Sequence, residues 1–180
     1  EFADRLVRLP MPAAQGGWFE RLSPEARAGA RYRYRIDGEM RVPDPASRYQ
    51  PADVDGPSVV IDPRGYAWRD DGWDGRPWHE AVLYELHVGA FSPAGTFEGV
   101  LERLPYLADL GVTAIELMPI GEFPGRRNWG YDGVLPYAPD AAYGSPEDLK
   151  RLVDSAHARG LMMFLDVVYN HFGPEGNYLH

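Results

Sequence analysis

Eleven residues near the end of the chain, Leu161-Met162-Met163-Phe164-Leu165-Asp166-Val167-Val168-Tyr169-Asn170-His171, constrain the fold more than any other stretch. The run is apolar at both odd and even positions, which excludes a strand with one wet and one dry face. It reads as a strand covered on both faces, as in a parallel sheet with helices outside it, and it carries a buried carboxylate, Asp166. Polar side chains gather at its C-terminal end, where barrel and open-sheet enzymes build their sites. Read alone, the same stretch also fits a core strand with one hydrogen-bonded Asp and a following turn.

The preceding hundred residues have the pattern that such a strand needs. Residues 81–88 form a strand candidate. Phe97, Val100, Leu101, Leu104, Leu107 and Leu110 then recur at helical spacing, with Gly111 as the stop. Pro105 removes the bond to the Leu101 carbonyl, so a kink or a second helix start is expected there. Residues 112–118 are the next strand. Ser145-Pro146-Glu147-Asp148 opens a helix with a capping hydroxyl, a proline at the first position and two acids at the positive helix end. Leu149, Leu152, Val153 and Ala156 make its buried stripe, Gly160 closes it, and the strand over 161–169 follows. The order is βαβαβ, an α/β fold class with right-handed crossovers.

Residues 1–62 read as β. Tyr32, Tyr34 and Ile36 alternate with Arg31, Arg33 and Arg35, and Asp37-Gly38 fits a hairpin turn before a return over 39–42. Pro43 and Pro45 end that strand, and 58–62 is a further short one. This segment is expected to be the C-terminal part of a β-sandwich. Residues 63–79 are expected to be an ordered linker, because Tyr66, Trp68, Trp73 and Trp78 are too apolar for a free tether. The loop over 119–144 is far longer than the usual connection of about 2–6 residues. It lies on the functional side of its strand and holds Glu122, Phe123, Arg126, Arg127, Asn128, Trp129, Tyr131, Asp132 and Tyr137, the contents of a substrate-site wall.

Composition narrows the partners. A net charge of −9 without a basic patch argues against nucleic acid, and no apolar run approaches a membrane span. There is no cysteine, so thiolate chemistry and disulfides are excluded. No leader is visible, and a cytoplasmic protein is expected. The chain starts without Met and stops at His180, directly after its most informative motif, so a longer polypeptide is expected.

Two groups should meet at the C-terminal face: Trp129-Gly130-Tyr131-Asp132-Gly133, and Asp166, Asn170 and His171. Flat rings beside carboxylate and imidazole suit a sugar, whose C–H face stacks on an aromatic while its hydroxyls hydrogen-bond the polar groups. Tyr131 as packing, Asp132 as a turn acid and His171 as a strand cap fit the same residues. No set of metal ligands stands out, and neither metal nor cofactor is expected.

Asp166-Val167-Val168-Tyr169-Asn170-His171 resembles the first signature region of the α-amylase clan of glycoside hydrolases. Trp129-Gly130-Tyr131-Asp132-Gly133 and Glu116-Leu117-Met118-Pro119 resemble that clan too. Tyr84-Glu85-Leu86-His87-Val88-Gly89 is similar to the first strand of its branching, debranching and trehalose-releasing members. Residues 122–131 and 171–179 are most similar to the trehalose-releasing branch.

The resemblance implies the first three β/α units of a TIM (β/α)8 barrel over 80–180, preceded by part of an early-set, immunoglobulin-like sandwich. It implies a retaining glycosidase cleaving the α-1,4 bond that adjoins the terminal trehalose of a maltooligosyl trehalose, or, as an alternative, a glycogen branching or debranching enzyme. By the same resemblance Tyr131 stacks under the sugar at the cleaved bond, with Asp132 and Trp129 beside it. His171 hydrogen-bonds that sugar, Asp166 orders the site by pairing with an arginine from a later strand, and Asn170 is structural. The nucleophile and acid/base come from later strands, so none of the catalytic acids is expected in these residues. The 180-residue chain alone should be inactive and should need the remainder of the polypeptide to complete the barrel. A non-catalytic glucan-binding module, with Trp68, Trp73 and Trp78 as a stacking platform, is the alternative of another class.

Overall fold

The computed structural model describes residues 6–179; the first five residues of the expected β segment, and His180, lie outside the described residues. The N-terminal part holds short antiparallel pairs. Strand β1 (Arg31–Tyr32) pairs with β4 (Ser58–Val59), and β2 (Tyr34–Ile36) with β3 (Met40–Val42). Asp37 and Gly38 take the positive φ angles, 45° and 95°, that their hairpin turn requires.

The expected sandwich is, among the described residues, two separate two-stranded ribbons. Pro43, Pro45, Pro51 and Pro57 cut the ladders short, and a polar network holds the intervening chain instead. In it the buried Gln50 amide donates to Gly56 O (2.6 Å) and Asp53 O (3.1 Å), and Ser58 Oγ donates to Gln50 Oε1 (3.0 Å). Ile36, expected on the dry face, is 46% exposed.

The remainder alternates strand and helix. Strand β5 (Leu83–Leu86) leads through α1 (Val88–Phe91), α2 (Phe97–Leu101) and α3 (Leu104–Leu110) to β6 (Ala114–Leu117). The hairpin β7 (Gly121–Glu122) and β8 (Leu135–Pro139), then α4 (Pro146–His157), lead to β9 (Met162–Leu165). Strands β5, β6 and β9 form one parallel sheet in that order, with Leu83, Ala114 and Met162 level at one end and Leu86, Leu117 and Leu165 at the other.

Pro105 breaks the expected helix where its missing N–H demands, and Gly111 ends α3 in the left-handed conformation at φ 90°. Ser145 and Asp148 exchange side chain-to-backbone bonds at the start of α4, a complete capping box. The core lies between one face of the sheet and the helices, where Leu86, Ile115 and Leu117 meet Phe97, Val100, Leu104, Leu107, Leu152 and Ala156.

Strand β9 is shorter than the run predicts. Asp166 N still bonds Leu117 O at 2.9 Å, but Pro119 has no N–H to continue the ladder, and residues 167–169 leave the sheet. Nor is the run covered on both faces: Leu165 is 50% exposed and Val167 44%. Asp166 is accordingly half-buried rather than buried. The 119–144 segment is not a plain loop, because β7 and β8 pair within it across a bulge.

The segment ahead of β5 is strapped to α4. Asp154, 3% exposed although it was not part of the apolar stripe expected for α4, accepts from Tyr66 Oη (3.1 Å), Arg69 N (3.0 Å) and Arg69 Nε (3.2 Å). Burial pushes its carboxyl up, but the bonds from Arg69 and Tyr66 outweigh it and hold the group below the usual carboxylate range. His157 adds a 2.8 Å contact to Asp70, and Trp73 stacks on its ring at 4.6 Å.

Asp154→Ala should therefore release this strap, at a cost of about 2 kcal/mol for the lost charged hydrogen bonds. Urea denaturation and tryptic cleavage at Arg69 read the change. An unchanged midpoint and cleavage rate would show that the strap is held by other contacts.

Candidate functional site

The site begins at the C-terminal ends of the three strands. His87 follows β5, Pro119 opens the long segment after β6, and Asp166 follows β9. The Trp129–Gly133 turn and the 170–173 segment, 40 residues apart in sequence, touch directly, with His171 Nε2 2.9 Å from Tyr131 O. A carbonyl only accepts, so Nε2 carries a proton, and Nδ1 has no part in this contact. Gly173 N donates to Gly133 O at 3.1 Å, and a Cβ on Gly173 would collide with the Asp132 backbone.

Asn128 shapes the turn. Its Oδ1 accepts from Gly130 N (2.8 Å) and Asp132 N (3.3 Å), and its amide donates to Asp132 Oδ2 (2.7 Å). Gly130 adopts φ 98° and packs where a Cβ would strike Pro119. Both rings remain accessible, with Tyr131 44% and Trp129 70% exposed. Asp166 lines a cavity of about 140 Å³ with Pro119, Gly130, Tyr137 and Phe172. That volume is below the roughly 300–1,000 Å³ of complete ligand pockets, so this is one wall of a site. The predicted residues Trp129, Tyr131, Asp132, His171 and Asp166 thus lie along one rim; Asn170 is exposed beside them.

Beneath the rim lie two acids, Glu122, which the sequence placed in the substrate-site wall, and Asp140, which it did not single out. Glu122 and Asp140 are 2% and 1% exposed. Glu122 Oε2 accepts from Ala141 N (2.9 Å), while Asp140 accepts from Phe123 N (3.1 Å) and Ala142 N (2.8 Å), stitching β7 to the end of β8. Burial, then the Asp140 charge, raises Glu122 to about 8; burial raises Asp140 to about 6. Asp53 tethers the N-terminal part to the same segment by accepting from Gly125 N at 3.1 Å. Asn128, placed in the wall, and His87, part of the first-strand motif, were given no individual role by the sequence. For Asn128 the Asn-x-Gly spacing is a legible turn signal, and His87 has none.

The three tryptophans proposed as a platform pack against three different partners: Trp68 on Tyr66, Trp73 on His157, and Trp78 on Phe164. Among the described residues no group of three or more His, Cys, Asp or Glu is placed to hold a metal ion, and no helix is long and apolar enough to cross a membrane.

Parallel β/α units with an aromatic and polar rim at the C-terminal strand ends are the arrangement of a partial (β/α)8 barrel. Residues 49–180 match the family model of the α-amylase catalytic domain, and the chain belongs to the α-amylase family. It is 52% identical over 163 residues to the malto-oligosyltrehalose trehalohydrolase of Saccharolobus solfataricus, covering 91% of this chain and 29% of that protein. With the protein of the same name from Deinococcus radiodurans it shares 52% over 169 residues, 94% of this chain and 28% of that one. A crystal structure described as a putative α-amylase from Salmonella typhimurium superposes with a TM-score of 0.91 at 54% identity, over 93% of this chain and 29% of that one. The chain therefore spans under a third of the length of these relatives.

Glu122 makes stability pH-dependent. Its folded value lies above its unfolded value, so the folded state keeps a proton that the unfolded state has lost, and stability falls as pH rises from about 4.5 to about 8. Glu122→Gln keeps the shape and removes the ionisation, so the urea midpoint of the variant should gain on the parent across that window. Parallel curves would show that Glu122 is not held protonated.

Proposed function

We propose that this chain is the N-terminal part of a maltooligosyltrehalose trehalohydrolase, which hydrolyses the α-1,4 bond adjoining the terminal trehalose of a maltooligosyl trehalose. The observation that carries the reading is the joint made by Tyr131 and His171, which leaves the tyrosine ring exposed beside the cavity that Asp166 lines. Tyr131 supplies the stacking face and Trp129 extends it. The Asp132 carboxylate, tied through one oxygen to Asn128, offers the other to a sugar hydroxyl, and His171 Nδ1 accepts from another.

Hydrolysis with retention needs two carboxyl groups about 5–5.5 Å apart across the bond, one attacking the anomeric carbon while the other protonates the leaving oxygen. Glu122 and Asp140 are buried below the rim and cannot reach it. The nucleophile and acid/base then come from residues after His180, with Asp166 awaiting an arginine there and Asn170 structural. We place residues 80–180 in the incomplete barrel, 63–79 in an ordered linker, and the two ribbons of 1–62 in a sandwich domain of a cytoplasmic enzyme. The 180 residues alone should not turn over substrate.

A second reading, a branching enzyme of the same family, draws on 35% identity over 179 residues to a 1,4-α-glucan branching enzyme of Xanthomonas axonopodis. Product analysis of the full-length polypeptide separates the two. Trehalose released from maltooligosyl trehalose supports the hydrolase, and new branch points in amylose support the rival. Tyr131→Ala should weaken the catalysed reaction about tenfold or more through lost stacking; an unaltered kcat/KM would remove Tyr131 from the site.

A further inference from the structure

His87 stands at the end of β5 and makes no contact that the proposed reaction calls for. Its Nε2 lies 2.6 Å from the main-chain carbonyl oxygen of Asn128, 41 residues away. That oxygen accepts only, so Nε2 carries a hydrogen; Nδ1 is buried and has no partner among the described residues. The ring is fixed from several sides. Tyr143, 2% exposed and packed on Phe97 and Phe123, meets it edge to face at 6.0 Å. Gly89 leaves room for it, since a Cβ there would stand 3.0 Å from His87 Cε1. On its outer side Trp129 packs at 5.6 Å with the planes 75° apart.

The Asn128 carbonyl is a point from which the whole rim can be held. The Asn128 side chain already binds Gly130 N, Asp132 N and the Asp132 carboxylate. His171 donates to Tyr131 O, three residues further along the turn. The turn thus hangs between two imidazole donors, delivered by the two outer strands of the sheet. One is anchored in the hydrophobic core through Tyr143, whereas the other stands in solvent.

We propose that His87 is a positioning residue for the sugar-stacking rim: its Nε2–H bond to Asn128 O couples the core to the turn and sets the angle at which Trp129 and Tyr131 face a glucosyl unit. The functional consequence rests on the sugar-site reading above; the structural coupling does not. A packing role alone would need only the ring. The coupling needs a donor at the Nε2 position, which a glutamine amide can supply and a phenylalanine cannot.

The test compares His87→Gln and His87→Phe in the full-length polypeptide that carries these residues. The readouts are the 19F signal of fluorinated Trp129, assigned with Trp129→Phe, and KM and kcat on maltooligosyl trehalose. His87→Phe should broaden or split the Trp129 signal and raise KM about tenfold, the loss of one well-made hydrogen bond, with kcat little changed. His87→Gln should restore both. A Trp129 signal unaffected by His87→Phe, or a glutamine variant as impaired as the phenylalanine one, would overturn the proposal. A Trp129 signal that needs the donor, in a polypeptide that binds no glucan, would uphold the coupling and overturn the sugar reading instead.

Discussion

The level register of three parallel strands is the constraint on which the rest depends. Because Leu86, Leu117 and Leu165 stand side by side, the next residues of all three strands emerge at one edge, and whatever chemistry they carry is assembled there. A slip of one residue would turn Glu85 and Glu116 into the hydrophobic core and Leu86 and Leu117 out of it. The register is secured by burial of Ile115, Leu117 and Leu86 against α2, α3 and α4, by the Gly111 stop of α3 and by the capping box that opens α4.

The wall that rises from this edge is built on a different principle. Residues 119–144 bury Ile120, Phe123, Val134, Leu135 and Tyr143, and the chain between these anchors is ordered by polar groups. Glu122 and Asp140 stitch the base, Asn128 folds the crest, and histidines from two strands hold main-chain carbonyls of the turn. Val54 packs with Val134, Leu135 and Ala138, and Tyr178 Oη reaches Asp55 Oδ1 at 2.7 Å. Residues from the N-terminal part thereby brace the wall, in keeping with a family match that begins at residue 49 rather than at β5.

Much of the βαβαβ order was legible because its signals are local: the Pro105 break, the Gly111 stop, the Ser145–Asp148 box, the apolar run of β9. The rim was legible as a set of residue types, since aromatic, carboxylate and imidazole groups fell after strands. What stayed hidden depends on distant partners. Nothing local to Asp154 signals its burial, because its partners Tyr66 and Arg69 lie 85 and more residues away. The hairpin β7–β8 has strands too short and too irregular to show a period, and His87 sits in a motif whose pattern does not reveal that its ring reaches Asn128. The end of β9 was overestimated because the residue that stops it, Pro119, lies just past the end of the neighbouring strand β6.

The central claim is that the 128–133 turn and the 170–173 segment act together as one glucan-gripping rim. Titrating the isotope-labelled chain with maltotetraose, and following backbone and ring resonances, tests it most directly. The account predicts that Trp129, Tyr131, Asp132 and His171 shift together along one saturable curve. Shifts confined to Trp68, Trp73 and Trp78, or a Tyr131 response uncoupled from that of His171, would contradict it.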